Sequence, residues 1–223
     1  MLDVALCLLP ATVMGIWHFK LQAVMVIALA IISAVLTEYV FDYIAKRGNT
    51  VKDCSAVVTG LLLALCLPAG VPFYIPVLGA VFAIVVAKNL FGGLGHNFMN
   101  PALAGRCFLL LSFSSIVADY TVDGYSSATP LAELKAGTAI VNADAIKNAL
   151  IGNIGGTIGE TCAIALIIGG LFLVWKKIIS PIIPCCFIGT VFVFAAIYYG
   201  ATGGDALHMA IFHVLAGGVM LGA

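Results

Sequence analysis

Long apolar runs separated by short polar breaks divide the chain into eight segments, at about residues 2 to 19, 21 to 45, 54 to 67, 73 to 91, 102 to 118, 161 to 175, 178 to 199 and 207 to 223. A helix needs about 20 apolar residues to cross the hydrocarbon core of a bilayer, and most of these runs approach or reach that length. The third does not. It runs into Leu67-Pro68-Ala69-Gly70-Val71-Pro72, and a half-length apolar helix ending in proline and glycine is the pattern of a broken membrane helix that lines a site. Gly92-Gly93-Leu94-Gly95-His96-Asn97 and Asn100-Pro101-Ala102 form a second non-helical element at a membrane edge. The pattern predicts an all-α polytopic membrane protein with broken half-helices.

Composition removes the competing classes. With 63% hydrophobic residues, 9% charged residues and a mean hydropathy of +1.17, a soluble core is excluded. The net charge is zero and no basic cluster interleaved with aromatics occurs, which excludes nucleic acid as a partner. The first run carries Asp3, lacks a basic leader and has no small-residue cleavage site, so it reads as a retained helix rather than a signal peptide.

Basic residues set orientation. If all eight segments cross, Lys46, Arg47, Lys52, Lys88, Arg106, Lys176 and Lys177 share one side and Lys20, Lys135 and Lys147 the other. That split predicts a cytoplasmic N-terminus and an extracytoplasmic loop from about 119 to 160. Val57-Val58-Thr59-Gly60-Leu61-Leu62-Leu63-Ala64 is echoed by Val214-Leu215-Ala216-Gly217-Gly218-Val219-Met220-Leu221. The echo predicts an inverted-repeat architecture, with a first membrane repeat over 1–120, a loop over 121–160 and a second repeat over 161–223 that is cut short at Ala223.

Several polar groups invite chemistry. Asp123-Gly124-Tyr125-Ser126-Ser127-Ala128-Thr129-Pro130 is a hydroxyl-rich island on a turn-forming loop, suited to carry a phosphate-bearing group. Glu38 and Asp42 lie one helical turn apart with Lys46 a turn further, which reads as an interfacial salt-bridge ladder, with an ion path as the second reading. Glu160 follows a glycine-rich loop and is expected to open a helix, as a cap or as a contact to a cofactor. The seven cysteines form no CxxC pair, and His208 and His213 do not share a helix face, so no metal site is expected from this chain. Cys185 and Cys186 point to different sides of a helix and are not expected to pair.

Four motifs in order carry a resemblance. Val51-Lys52-Asp53-Cys54-Ser55-Ala56-Val57-Val58-Thr59-Gly60 is the first, followed by Gly92-Gly93-Leu94-Gly95-His96-Asn97-Phe98-Met99-Asn100-Pro101-Ala102 with Gly105-Arg106. Ser126-Ser127-Ala128-Thr129-Pro130-Leu131 and Gly152-Asn153-Ile154-Gly155-Gly156-Thr157-Ile158-Gly159-Glu160-Thr161 complete the set. Together they resemble the family that holds the D subunit of the Rnf electron-transport complex and the B subunit of the sodium-translocating NADH:quinone reductase. The resemblance implies FMN bound to Thr129 as a phosphoester, installed by a separate flavin transferase. Asp123, Ser126, Ser127 and Ala128 would form the attachment motif, with Asn153 and Glu160 as further cofactor-side residues. It also implies other subunits of the complex as partners, with ferredoxin and NAD reached through them, Na+ or H+ as transported cation, a bacterial or archaeal cytoplasmic membrane, and a non-covalent riboflavin. Ser127 departs from the glycine common at that position in relatives. Relatives also begin with a cytoplasmic arm before the first helix and continue past Ala223.

A channel is the competing reading, because Asn100-Pro101-Ala102 matches the tripeptide of aquaporin-type channels. That fold needs a second such tripeptide, and the sequence has none. A structural subunit without flavin is the third.

Overall fold

A computed structural model describes residues 1–46, 48, 50–97, 99–120, 143–151, 156–160, 162–202, 206–215 and 219–222. Among these residues there is no strand, and the chain is all-α. The first helix, α1, spans Leu2–Ile44. A straight helix of 43 residues would be about 65 Å long, twice the hydrocarbon thickness. It is not straight. Lys20 has φ 50° and ψ −130°, a backbone conformation that residues with a side chain seldom adopt. The break leaves two helices of membrane length and falls at the one polar residue between the first two apolar runs.

Ser55–Leu65 (α2) and Tyr74–Phe82 (α3) follow, and α3 passes directly into a π-helix, Ala83–Asn89. Next come α4 (Pro101–Ser112), α5 (Ser114–Val117), α6 (Ala143–Ile151), α7 (Ala163–Trp175), α8 (Ile182–Ala201), α9 (Ala206–Leu215) and α10 (Val219–Gly222). Among the described residues, α1 and α8 are the helices long and apolar enough to cross a membrane by themselves.

The contacts divide the chain into two units, Met1–Leu6 with Phe19–Asp119, and Cys7–His18 with Tyr120–Ala223. In the first unit, α2 is the predicted half-helix. Its 11 residues rise about 16 Å, half a hydrocarbon core, and nine of them are buried inside protein. Backbone groups around the turn over 67–72 are held locally, with Leu67 N–H donating to Ala64 O (3.0 Å) and Ile75 N–H to Pro72 O (3.0 Å). Non-helical backbone at membrane depth is tolerated when protein encloses it. Gly60 lets α2 lie directly on the backbone of α1: a Cβ there would sit 2.8 Å from Ala30 O and 2.9 Å from the Ile31 Cα. Small residues of this kind allow the close helix crossings that membrane proteins use in place of a hydrophobic driving force. Leu63, Leu65, Ile75, Ile84 and Leu109 are completely buried, Leu63 of α2 and Leu109 of α4 both reach Gly79 of α3, and Phe82 stacks on Phe108 with ring centroids 4.3 Å apart.

In the second unit, Ala11 packs with Cys162 and Ala165, flanked by Met14 and Leu166. Tyr199 on α8 is joined to His213 on α9 by a 3.0 Å hydrogen bond between the phenol and Nε2. His213 therefore has a packing role. No residue of α8 is buried within the chain, as expected of a helix whose outer surface meets lipid or other subunits. All seven cysteines are free thiols, and Cys185 and Cys186 are both exposed.

Candidate functional site

The site grows from one charged side chain in an apolar run. Beyond Phe82 the helix widens to a π-helix, a geometry that is rare and concentrates at functional positions. The wider turn shifts the register of the residues after it. Lys88 and Asn89 thereby face inward and are buried, at 2% and 3% exposure. A buried ammonium needs a counter-charge and acceptors, and Lys88 finds both. Its Nζ donates to Glu38 Oε1 at 2.6 Å, forming a salt bridge to the far end of α1, and to Ser55 Oγ at the start of α2. The end of α1, the start of α2 and the end of the π-helix thus meet at one level.

The network continues to the surface. Exposed Thr50 presents its hydroxyl between Glu38 Oε1 (2.7 Å) and Asp42 Oδ2 (2.8 Å), and its backbone N–H donates to the same Asp42 oxygen at 2.9 Å. Asp42 is buried, and Glu38 is completely so. Glu38 Oε2 makes no hydrogen bond among the described residues. Asp53 Oδ1 accepts from Ser55 N–H at 2.7 Å and fixes the first turn of α2. The predicted surface ladder of Glu38, Asp42 and Lys46 is therefore not what forms. Lys46 is exposed, and Glu38 is paired instead with a lysine 50 residues along the chain.

Ser55 and Lys88 form part of the wall of a cavity of about 340 Å³, together with Thr59, Asn97, Asn100 and the apolar side chains of Val58, Leu62 and Leu94. Small-molecule sites are mostly apolar cavities of about 300–1,000 Å³ with a few convergent polar groups, and this one fits that description at its lower end. The glycine-rich segment shapes one side. Gly92, Gly93 and Gly95 have φ of 112°, 96° and 87°, and the space beside Gly93 and Gly95 is open. Backbone conformation, not tight helix packing, is what requires glycine there. Assigning nitrogen to the Asn97 amide atom that faces two carbonyls gives hydrogen bonds to Lys88 O (3.2 Å) and Gly93 O (2.9 Å), which tie this segment to the π-helix. Asn100 Oδ1 accepts from Ala102 N–H at 3.0 Å with Pro101 in the first turn, so Asn100-Pro101-Ala102 is the N-terminal cap of α4.

A second cavity, of about 220 Å³, lies under the Ala69-Gly70-Val71 turn against Met25, Val26 and Leu29. Its lining is largely apolar.

The remaining candidates fall elsewhere. Asp123, Ser126, Ser127, Ala128, Thr129 and Asn153 lie outside the described residues. Glu160 sits in a turn, its N–H bonded to Thr157 O at 3.2 Å. It does not open α7: that helix begins at Ala163, and Cys162 occupies its cap position without a side-chain cap bond. Sequence reasoning missed Lys88, Ser55 and Thr50 as a functional group, having assigned Lys88 to the membrane edge. The available signal was an ionisable residue inside the 73–91 apolar run.

Known proteins resemble this chain over its whole length. The D subunit of a Na(+)-translocating ferredoxin:NAD(+) oxidoreductase complex of Acetobacterium woodii is 44% identical over the whole of this chain and 69% of its own length. Its counterpart in a proton-translocating ferredoxin:NAD(+) oxidoreductase complex of Clostridium ljungdahlii is 39% identical over the whole chain and 71% of its length. The D subunit of an ion-translocating oxidoreductase complex of Rhodobacter capsulatus is 30% identical over 99% of the chain and 71% of its length. The family model described as NQR2, RnfD, RnfE matches residues 1–223. With this match over its full length, and relatives up to 44% identical along all of it, the chain belongs to the NQR2, RnfD, RnfE family.

Proposed function

We propose that this chain is the D subunit of an Rnf-type ion-translocating ferredoxin:NAD+ oxidoreductase complex in a cytoplasmic membrane, and that it carries electrons through FMN attached to Thr129. The observation that carries the reading is similarity along the entire chain to subunits that bear this name, at up to 44% identity. Other subunits would supply the ferredoxin and NAD sites, and a flavin transferase would attach the FMN. Na+ or H+ would be the transported cation.

Thr129 offers the chemistry that the linkage needs, a hydroxyl on a polar loop closed by Pro130. A phosphoester there fixes the ring without dependence on free FMN, and the bound ring supplies one-electron chemistry while the protein contributes position and electrostatics. The 340 Å³ cavity suits the second, non-covalent flavin. Apolar walls can take the ring edges and exclude water, while Thr59, Asn97 and Asn100 offer hydrogen bonds to its heteroatoms.

The N-terminus is read as cytoplasmic and the Thr129 loop as extracytoplasmic. Lys88 is buried and no longer counts among the residues that anchor the cytoplasmic face, which leaves six basic residues against three. The channel reading is the weaker one, because the sequence holds a single Asn-Pro-Ala tripeptide where that fold needs two, and because a channel gives no account of Ser126 to Leu131. Intact mass of the purified chain, co-expressed with a flavin transferase, tests the proposal. A mass increase of FMN minus water on the Thr129 peptide supports it, and an unmodified peptide under conditions that flavinylate a control refutes it.

A further inference from the structure

We infer that Lys88 is the charge-compensating contact for the ligand of the 340 Å³ cavity, and that its ammonium makes the cavity hold a conjugated ring more tightly once that ring has gained an electron. The inference rests on the reading of the cavity as a flavin site. A lysine ammonium has three N–H donors. Two of them go to Glu38 and Ser55, the third has no acceptor among the described residues, and the side chain lines the cavity. At 2% exposure the charge is sheltered from bulk water, so it acts on a neighbouring ring far more strongly than a surface lysine would.

Position argues in the same direction. A lysine required only to neutralise Glu38 could approach that carboxylate from any side. This one is delivered by a departure from α-helix geometry to the wall where Ser55, Asn97 and Asn100 converge. Its tie to Glu38 uses a single carboxylate oxygen, and Glu38 Oε2 stays without a hydrogen bond among the described residues. Glu38 therefore holds the ammonium in place and moderates its field at the cavity. No bond forms or breaks in the step: one electron arrives from a one-electron carrier of the complex and leaves to the next.

The test is a spectroelectrochemical titration of the assembled, detergent-extracted complex, with the Thr129-linked flavin as internal reference. Lys88→Gln should lower the ratio of reduced to oxidised affinity of the non-covalent flavin at least tenfold, a fall of about 60 mV for a one-electron couple. Glu38→Gln should move the same potential upward, because the ammonium then lacks its carboxylate. Shifts of opposite sign uphold the inference, since a merely structural role gives shifts of one sign or none. Unchanged potentials, shifts of the same sign, or loss of this flavin from both variants overturn it. Where Lys88→Gln alone sheds the flavin, Glu38→Gln decides: a raised potential upholds the inference and any other result overturns it. A wild-type complex that carries the Thr129 flavin but no second flavin refutes the cavity reading, and this inference falls with it. A second flavin whose potential ignores Lys88 refutes the inference alone.

Discussion

Replacing Lys88 by methionine keeps an unbranched side chain of similar length and removes the ammonium from a site where almost nothing else can compensate Glu38. Glu38 is fully buried, its Oε1 lies 2.6 Å from the ammonium, and its other oxygen has no hydrogen bond among the described residues. At an effective dielectric constant of 20, two unit charges at that separation attract by about 6 kcal/mol, a gross figure from which the cost of desolvation must be subtracted. Breaking one side of a buried pair typically costs about 3–5 kcal/mol, because the remaining charge is stranded. Lys88→Met should therefore destabilise the first unit by about that amount. Adding Glu38→Gln should return most of it, leaving the double variant within about 2 kcal/mol of the wild type and a coupling energy of at least about 2 kcal/mol. Reversible unfolding of the purified chain in mixed micelles, run as a double-mutant cycle, measures both quantities. A cost below about 1 kcal/mol for Lys88→Met, or additive single effects, would refute the buried pair as described.

Other outcomes follow from the packing and the loop chemistry. Gly60→Ala should cost about 1–3 kcal/mol in the same assay, because the new methyl meets the backbone of Ala30 and Ile31, which cannot rotate aside. Gly170→Ala, a helical position in α7 with open space around it, should be neutral or stabilise by up to about 1 kcal/mol. Asn100→Ala should remove about 1 kcal/mol through loss of the α4 cap while Asn100→Asp retains the acceptor; equal behaviour of the two variants would contradict the capping role. Thr129→Ala should abolish covalent flavin without preventing membrane insertion, and fluorescent flavin retained on a denaturing gel would sink that assignment. A cysteine placed between Asp123 and Ala136, with background cysteines removed, should react with an impermeant thiol reagent in intact cells; labelling only after lysis would reverse the proposed orientation.

Much of the architecture was legible because it depends on local chemistry. Run length and the single polar residue Lys20 were enough to divide α1 where the backbone breaks. Two prolines and a glycine within five residues, Pro68, Gly70 and Pro72, strongly disfavour helix, so the half-length of α2 could be read directly. The island around Thr129 stood out by composition, although its meaning came from resemblance to a family and not from the spacing of its hydroxyls. The same local logic misjudged Glu160, since a glycine-rich loop does not fix at which residue the next helix begins.

The sequence by itself determined an all-α membrane protein, the places where its helices break and the family to which it belongs. Tertiary structure alone decided that Glu38 and Lys88, 50 residues apart, neutralise one another beside a cavity. That pairing depends on the register shift of a π-helix and on α2 settling against α1 through Gly60. Neither follows from hydropathy, because a charged residue in an apolar run is compatible with a membrane edge or a buried site, and only the helices packed around it choose between them.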